Sequence, residues 1–347
     1  MRMRFVLLAL LVGLMAGAAA ATTYVVPDEE LEITEIQQAV EMASAGDTVL
    51  VMSGVYDSVS NFETPLGWRS AIVAISTDIV LLGNNREGVR IDQSEAEYGI
   101  LYQNVSADAI VSNLTILGGD LRDKGLADDG DGRLLAAGIC CIDSASPTIR
   151  GVDIVNGATG IVVRTGIGSG NSAPLIERVV VARGSHHGIF VYENGSEPVV
   201  IDRCTLVENF DNGIHVSGGN AQIKNSAITH SGKAGIHGYL AIPTVRYCNV
   251  FYNDEIDPDQ VTGPLNYGGT LDDLTGIDGN ISVEPFYCDF GGASGYDYHV
   301  CLTSPPSPHI GGGEGGVTIG ALPAQCSGCV SPVEATSWGA IKALYAR

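Results

Sequence analysis

The sequence predicts an all-β fold built as a solenoid of parallel strands, on the strength of two recurrences. Gly-Ile pairs at Gly138-Ile139, Gly160-Ile161, Gly188-Ile189, Gly213-Ile214 and Gly235-Ile236 follow one another at steps of 22, 28, 25 and 22 residues, each opening a short β-branched run after a turn. In phase with them run Ile149, Ile176, Ile201, Ile223 and Val245, at steps of 27, 25, 22 and 22. A repeat of two or three short strands cannot bury an apolar face alone, so it must stack on copies of itself. Leucine-rich repeats share this period but require a Leu and Asn pattern that these segments lack. The uneven step indicates a single-stranded right-handed parallel β-helix, in which extra residues loop out at turns while the strands keep register.

In chain order, Arg2 and Arg4, the apolar run from Phe5 to Met15 and Ala19-Ala20-Ala21 read as a secretory signal peptide over residues 1–21. Residues 22–57 are expected to form an N-terminal cap and first rung. Within them Thr34-Glu35-Ile36-Gln37 has the form of a capping box, and Ile33, Ile36, Ala39, Val40 and Ala43 recur at helical spacing, which predicts a short helix over 33–43 covering the first rung. Such a cover is needed because an open solenoid end leaves strand edges unpaired. Residues 58–265 hold the coils, residues 266–330 are expected to close them, and residues 331–347 read as a linker and a short helix. Trp338, Ile341, Leu344 and Tyr345 share one face of that helix, which suits a tail docked on the solenoid or held by an export or surface partner. No stretch after the signal peptide sustains the roughly 18 apolar residues of a membrane span.

Three segments resemble the pectin lyase-like superfamily of right-handed parallel β-helices, secreted bacterial type. The first joins Ile36-Gln37-Gln38-Ala39-Val40, Ala45-Gly46-Asp47-Thr48-Val49 and Ser53-Gly54-Val55-Tyr56, and the second is the Gly-Ile series. The third runs from Gly279-Asn280-Ile281-Ser282 and Glu284-Pro285-Phe286 through Asp297-Tyr298-His299-Val300 and Ser304-Pro305 to Ile319-Gly320-Ala321-Leu322. The resemblance implies the fold. It leaves the activity open, because the superfamily hosts lyases, hydrolases, esterases, epimerases, adhesins and proteins with no assigned activity.

Without the signal peptide the chain has 16 basic and 40 acidic residues, a formal charge of −24. That balance repels nucleic acid and acidic membranes, while an extracellular polysaccharide stays open as a partner, a polyanionic one only with a bridging cation or a local basic patch. All eight cysteines lie in the exported part. Cys204 and Cys248 occupy equivalent places two rungs apart, about 10 Å at the usual strand spacing, too far for a bond, and are expected to be buried thiols. Cys288, Cys301, Cys326 and Cys329 are expected to form at least one disulfide, with a zinc site as the alternative.

Strand alternation identifies the outward side chains. If Ile161 and Val163 point inward, Val162 and Arg164 point outward. The same phase gives a strip of Cys140 and Ile142, Val162 and Arg164, Phe190 and Tyr192, His215 and Ser217, and His237 and Tyr239. Arg183, His186, His187, Glu208, Asp211, His230 and Lys233 lie on the turns leading in. Rings stack on sugar CH faces while imidazole and guanidinium groups fix hydroxyls, so Arg164, Phe190, Tyr192, His215, His237 and Tyr239 are the candidate ligand-binding residues. Stacks that merely stabilise the solenoid are the alternative.

Catalysis would need more. His215, Arg164, His237 and Asp211 are the candidates for a uronate lyase or glycoside hydrolase, but hydrolysis would have only Glu208, Asp211 and Glu193 as nearby carboxylates, and no calcium-ligand cluster stands beside them in the sequence. No cofactor motif is complete. Asp128, Asp129 and Asp131 form part of a calcium loop in which Ala127 replaces the first ligand, and a solvated acidic loop is the alternative. The acidic turn at Asp254, Glu255, Asp257 and Asp259 has the same two readings. The missing catalytic blocks favour a polysaccharide-binding protein over an enzyme.

Overall fold

The computed structural model describes residues 20–65, 67–118, 136–165, 170–253, 265–292, 295–303 and 306–327. The residues expected to form most of the signal peptide, both acidic insertions, Cys329 and the C-terminal helix fall outside these ranges.

Three parallel sheets wind around one core. Among the described residues they contain nine, eight and nine strands, the edge strand Ser60–Thr64 of the third being antiparallel to its neighbour. The Gly-Ile pairs open strands of the third sheet, where Ile139, Ile161, Ile189, Ile214 and Ile236 are in register on successive strands, each fully buried. Ile149, Ile176, Ile201, Ile223 and Val245 form the matching column of the first sheet. Removing each such aliphatic side chain from water contributes roughly 1.5–3 kcal/mol. Stacking makes that burial continuous along the coil.

The glycine of each pair has a steric cause. A Cβ on Gly213 would lie 2.3 Å from Ile228 Cγ2 and 2.7 Å from the Gly235 carbonyl oxygen, and one on Gly188 would lie 2.5 Å from the Gly213 oxygen. The corner entering the third sheet is therefore open only to a residue without a side chain. Elsewhere the corners use left-handed backbone at side-chain-bearing residues. Arg178, Arg203, Asn225 and Tyr247 precede strands of the second sheet, and Arg183, Glu208, His230 and Tyr252 follow them, all at φ between 50° and 59°. All of these but Tyr252 donate their amide to a carbonyl of the next turn of chain, as Arg178 does to Asp202 and Arg203 to Lys224.

The N-terminal helix is Ile36–Met42, shorter than the 33–43 expected and begun one residue later than the predicted capping box. Glu35 is the N-cap, and Gln38 Oε1 accepts from its amide at 3.1 Å. Gln37 is thereby released, and its Oε1 accepts the Ala74 amide at 2.8 Å. The helix buries Ile36, Ala39 and Val40 over the first rung.

At the other end the chain does more than cross the last rung. Asn280 Oδ1 accepts the Cys248 amide, and Ile281 bridges Asn249. The chain then doubles back beside the coil as a three-stranded sheet of Tyr287–Gly292, Gly295–Thr303 and Ala324–Ser327. Tyr287, Tyr298, Val300 and Ala321 pack on Val180, Ala182 and Val207 from the outer face of the second sheet. Buried His309 Nε2 accepts from Asn249 Nδ2 at 2.6 Å, fixing this sheet to the last coils. A disulfide joins Cys288 to Cys326, and Cys301 is also disulfide-bonded. Cys140, Cys141, Cys204 and Cys248 are buried thiols. Among the described residues no helix is long and apolar enough to cross a membrane.

Candidate functional site

Strand pairing places the expected strip in two registered columns on the outside of the third sheet. Cys140, Val162, Phe190, His215 and His237 form one, and Arg164, Tyr192, Ser217 and Tyr239 form the other. Exposure divides the strip. Cys140, Ile142, Val162 and Phe190 are buried in a second apolar cluster with Tyr98, Leu101 and Ala137, outside the main core. Phe190 is 4% exposed and Arg164 9%, so these two candidates are largely covered. Alternation assigns a face of a strand but does not say whether that face is covered. Arg164 stacks over the Tyr192 ring at 5.5 Å, a cation–π contact, and its Nε donates to the Thr165 carbonyl. His215, His237 and Tyr192 are half-buried, while Tyr239 is 56% exposed beside exposed Leu240 and Ile242.

The open end of the strip is a ladder of rings. The centroids of Phe190 and His215 are 5.1 Å apart, and those of His215 and His237 are 4.9 Å apart and edge-on. His187 joins from the turn below, its Nε2 3.3 Å from His215 Nδ1 and its Nδ1 accepting the Asn212 amide at 3.3 Å. Asp211 and Lys233 form an ion pair at 2.6 Å on the same turns. Burial, then the neighbouring imidazoles and Lys233, holds His187 well below its ordinary range; burial and His237 lower His215 to about 4; burial and Lys233 lower His237. At neutral pH the ladder is an array of uncharged imidazoles.

The other turn residues go elsewhere. Glu208 accepts from Tyr298 Oη at 3.1 Å beneath the C-terminal sheet, and burial raises its pKa. Arg183 lies 3.9 Å over the Tyr296 ring on that same side. His230 packs at the far corner against Phe251 and Tyr252. Glu193 is exposed at the turn after Tyr192. Of the nearby carboxylates considered for hydrolysis, Asp211 is paired to Lys233 and Glu208 is turned away. Among the described residues no group of three or more His, Cys, Asp or Glu side chains is arranged to hold a metal ion. The calcium candidates Asp128, Asp129 and Asp131 lie outside the described residues.

Asn212, which orients His187, and the apolar tip at Leu240 and Ile242 were missed by sequence reasoning. Asn212 lies in the turn directly before the Gly213-Ile214 pair, and that fixed offset is the signal that could have marked it.

The chain belongs to the family described as the right-handed β-helix region, which matches residues 49–228 and 168–257. Among solved structures it is similar to pectate lyase Pel9A, with 11% identity and a TM-score of 0.48 over 89% of this chain and 98% of that one. It is also similar to the A-module of the Azotobacter vinelandii mannuronan C-5 epimerase AlgE6, with 15% identity and a TM-score of 0.38 over 67% of this chain and 74% of that one. No curated protein matches the sequence.

Proposed function

We propose that this chain is an exported β-helix that binds extracellular polysaccharide along the open end of the strip, at His215, His237, Tyr192 and Tyr239. The observation that carries the reading is the ladder itself. Ring side chains on neighbouring strands, about 4.8 Å apart, run from a half-buried, Arg164-backed Tyr192 to an exposed Tyr239 with Leu240 and Ile242 at its side. A mature chain with a formal charge of −24 keeps the histidine ladder uncharged and aromatic, with Lys233 at its rim paired to Asp211. Such a surface suits the CH faces and hydroxyls of a sugar chain. Export is read from the signal-like residues 1–21.

A lyase or hydrolase is the alternative. It has less support because Asp211 is held by Lys233 and Glu208 by Tyr298, which among the described residues leaves no pair of free carboxylates at the ladder. The test is a glycan array on the mature chain, with parallel assays for new reducing ends and unsaturated uronates. Retention of a polysaccharide without either product is expected. Product formation at enzymatic rates would overturn the reading in favour of catalysis, and no retained glycan would remove it.

A further inference from the structure

The three imidazoles of the ladder are ordered by one backbone donor. The Asn212 amide donates to His187 Nδ1, so the proton of neutral His187 is on Nε2. That nitrogen lies 3.3 Å from His215 Nδ1, which must then accept, leaving the His215 proton on Nε2. His215 Nε2 is buried and without a hydrogen-bond partner, and so is His237 Nδ1 on the adjoining strand. The two rings are 4.9 Å apart. A buried donor left unmade costs about 1–3 kcal/mol, and the terminal torsion of a histidine is soft enough for a small rotation to join the two.

We propose that His187, His215 and His237 form a one-directional hydrogen-bond relay in which His215 Nε2–H donates to His237 Nδ1 and the chain ends in a His237 Nε2–H that donates to an oxygen of a bound sugar. The end of the relay is built open. The next strand has Gly268 opposite His237, and a Cβ on Gly269 would lie 2.9 Å from His237 Nε2. The low imidazole pKa values keep every member neutral, as the relay requires, with Lys233 and Asp211 the charged groups facing them. His187 and His215 are then positioning residues, and His237 is the specificity-determining donor. A neutral imidazole carrying its proton on Nε2 offers no lone pair there, so His237 selects acceptor oxygens and does not act as a base. This inference rests on the glycan reading for its ligand but not for its tautomers.

The test is a long-range proton–nitrogen correlation spectrum of the mature chain labelled with nitrogen-15 at histidine, near neutral pH and without saccharide. All three residues should carry the proton on Nε2, and His187→Phe should let His215 populate both tautomers. A proton on Nδ1 of His215 or His237, or an imidazolium at either, overturns the relay. Should His187→Phe fail to fold, the wild-type tautomers alone decide. The binding arm uses cellohexaose and hexagalacturonate as probes. His237→Phe keeps a ring but removes the donor and should lose about tenfold in affinity, while His237→Gln, which restores an N–H near the same place, should recover most of it. Full affinity in His237→Phe alongside a loss in Tyr239→Ala would overturn the donor role and leave the glycan site standing. Absence of binding by the wild type would count against the glycan reading, with the tautomers still judging the relay.

Discussion

Gly213→Ala tests the steric account of the repeat. The added methyl would stand 2.3 Å from Ile228 Cγ2, 2.7 Å from the Gly235 carbonyl oxygen and 3.0 Å from Ser231 Oγ. Two of these neighbours are side-chain atoms in the packed corner. The third is backbone of the following rung, whose own amide is hydrogen-bonded to Leu265. Relief therefore requires the rungs to move apart. Overpacking of this kind costs about 1–3 kcal/mol, against which the reduced entropy of the unfolded chain returns about 0.4–1 kcal/mol, so a net loss of about 1–2 kcal/mol is expected. Gly157→Ala is the control. Its φ lies outside the left-handed region, and a Cβ there would meet nothing closer than 3.8 Å. It should change stability by less than about 1 kcal/mol in either direction. Urea unfolding midpoints of both variants read the difference directly. Equal midpoints for Gly213→Ala and the wild type, or equal damage from Gly157→Ala, would refute the idea that rung spacing selects glycine.

Ile214→Asp should cost several kcal/mol, since it places an unpaired carboxylate between buried Ile189 and Ile236; circular dichroism melting of the variant checks it. Cys204 and Cys248 should resist thiol labelling until the chain unfolds, because burial raises both to about 12 and leaves little thiolate. Replacing the Cys288–Cys326 disulfide by two serines frees a loop with a sequence separation of 38 residues and should cost about 4 kcal/mol, seen as a lower unfolding midpoint. Acid should loosen the C-terminal sheet. Burial lowers His309 to about 3, so the unfolded chain takes up a proton below about 6.5 that the folded chain refuses. The stability tied to neutral His309 is intact above pH 6.5 and falls as pH drops toward 3, by about 2 kcal/mol at pH 5. Glu208, whose pKa is raised by burial, acts with the opposite sign, because as pH falls the folded chain takes up its proton before the unfolded chain does, and it offsets part of the loss. Urea midpoints at pH 7 and pH 5 should therefore fall more for the wild type than for His309→Gln; equal falls would remove His309 as the cause.

The coil was legible because Gly-Ile carries two constraints at once, a corner closed to side chains and a fully buried stack, and each repeats from Gly99-Ile100 through Gly235-Ile236 on successive rungs. The outward columns were legible for the same reason, since a period of two assigns each residue a face. What covers a face was not legible. Phe190 and His215 share one column, yet Phe190 is buried and His215 is half-buried. The path of the C-terminal segment was hidden too, because Tyr287, Tyr298 and Val300 are apolar whether they close an end or lie along a side. The helix start slipped by one residue because Thr34 and Glu35 can both serve as caps, and Gln38 rather than Gln37 turns back to the amide. The order within the histidine ladder depends on a backbone amide, that of Asn212, which no side-chain pattern records.

The most direct test of the central claim is the saccharide affinity of a Tyr192→Ala, Tyr239→Ala double variant, measured by titration calorimetry with the polysaccharide that the wild type retains. Each stacked ring is worth about 0.5–1.5 kcal/mol, so the account predicts affinity weakened about tenfold or more. An affinity equal to that of the wild type would contradict it and leave the ladder as a structural stack of the solenoid.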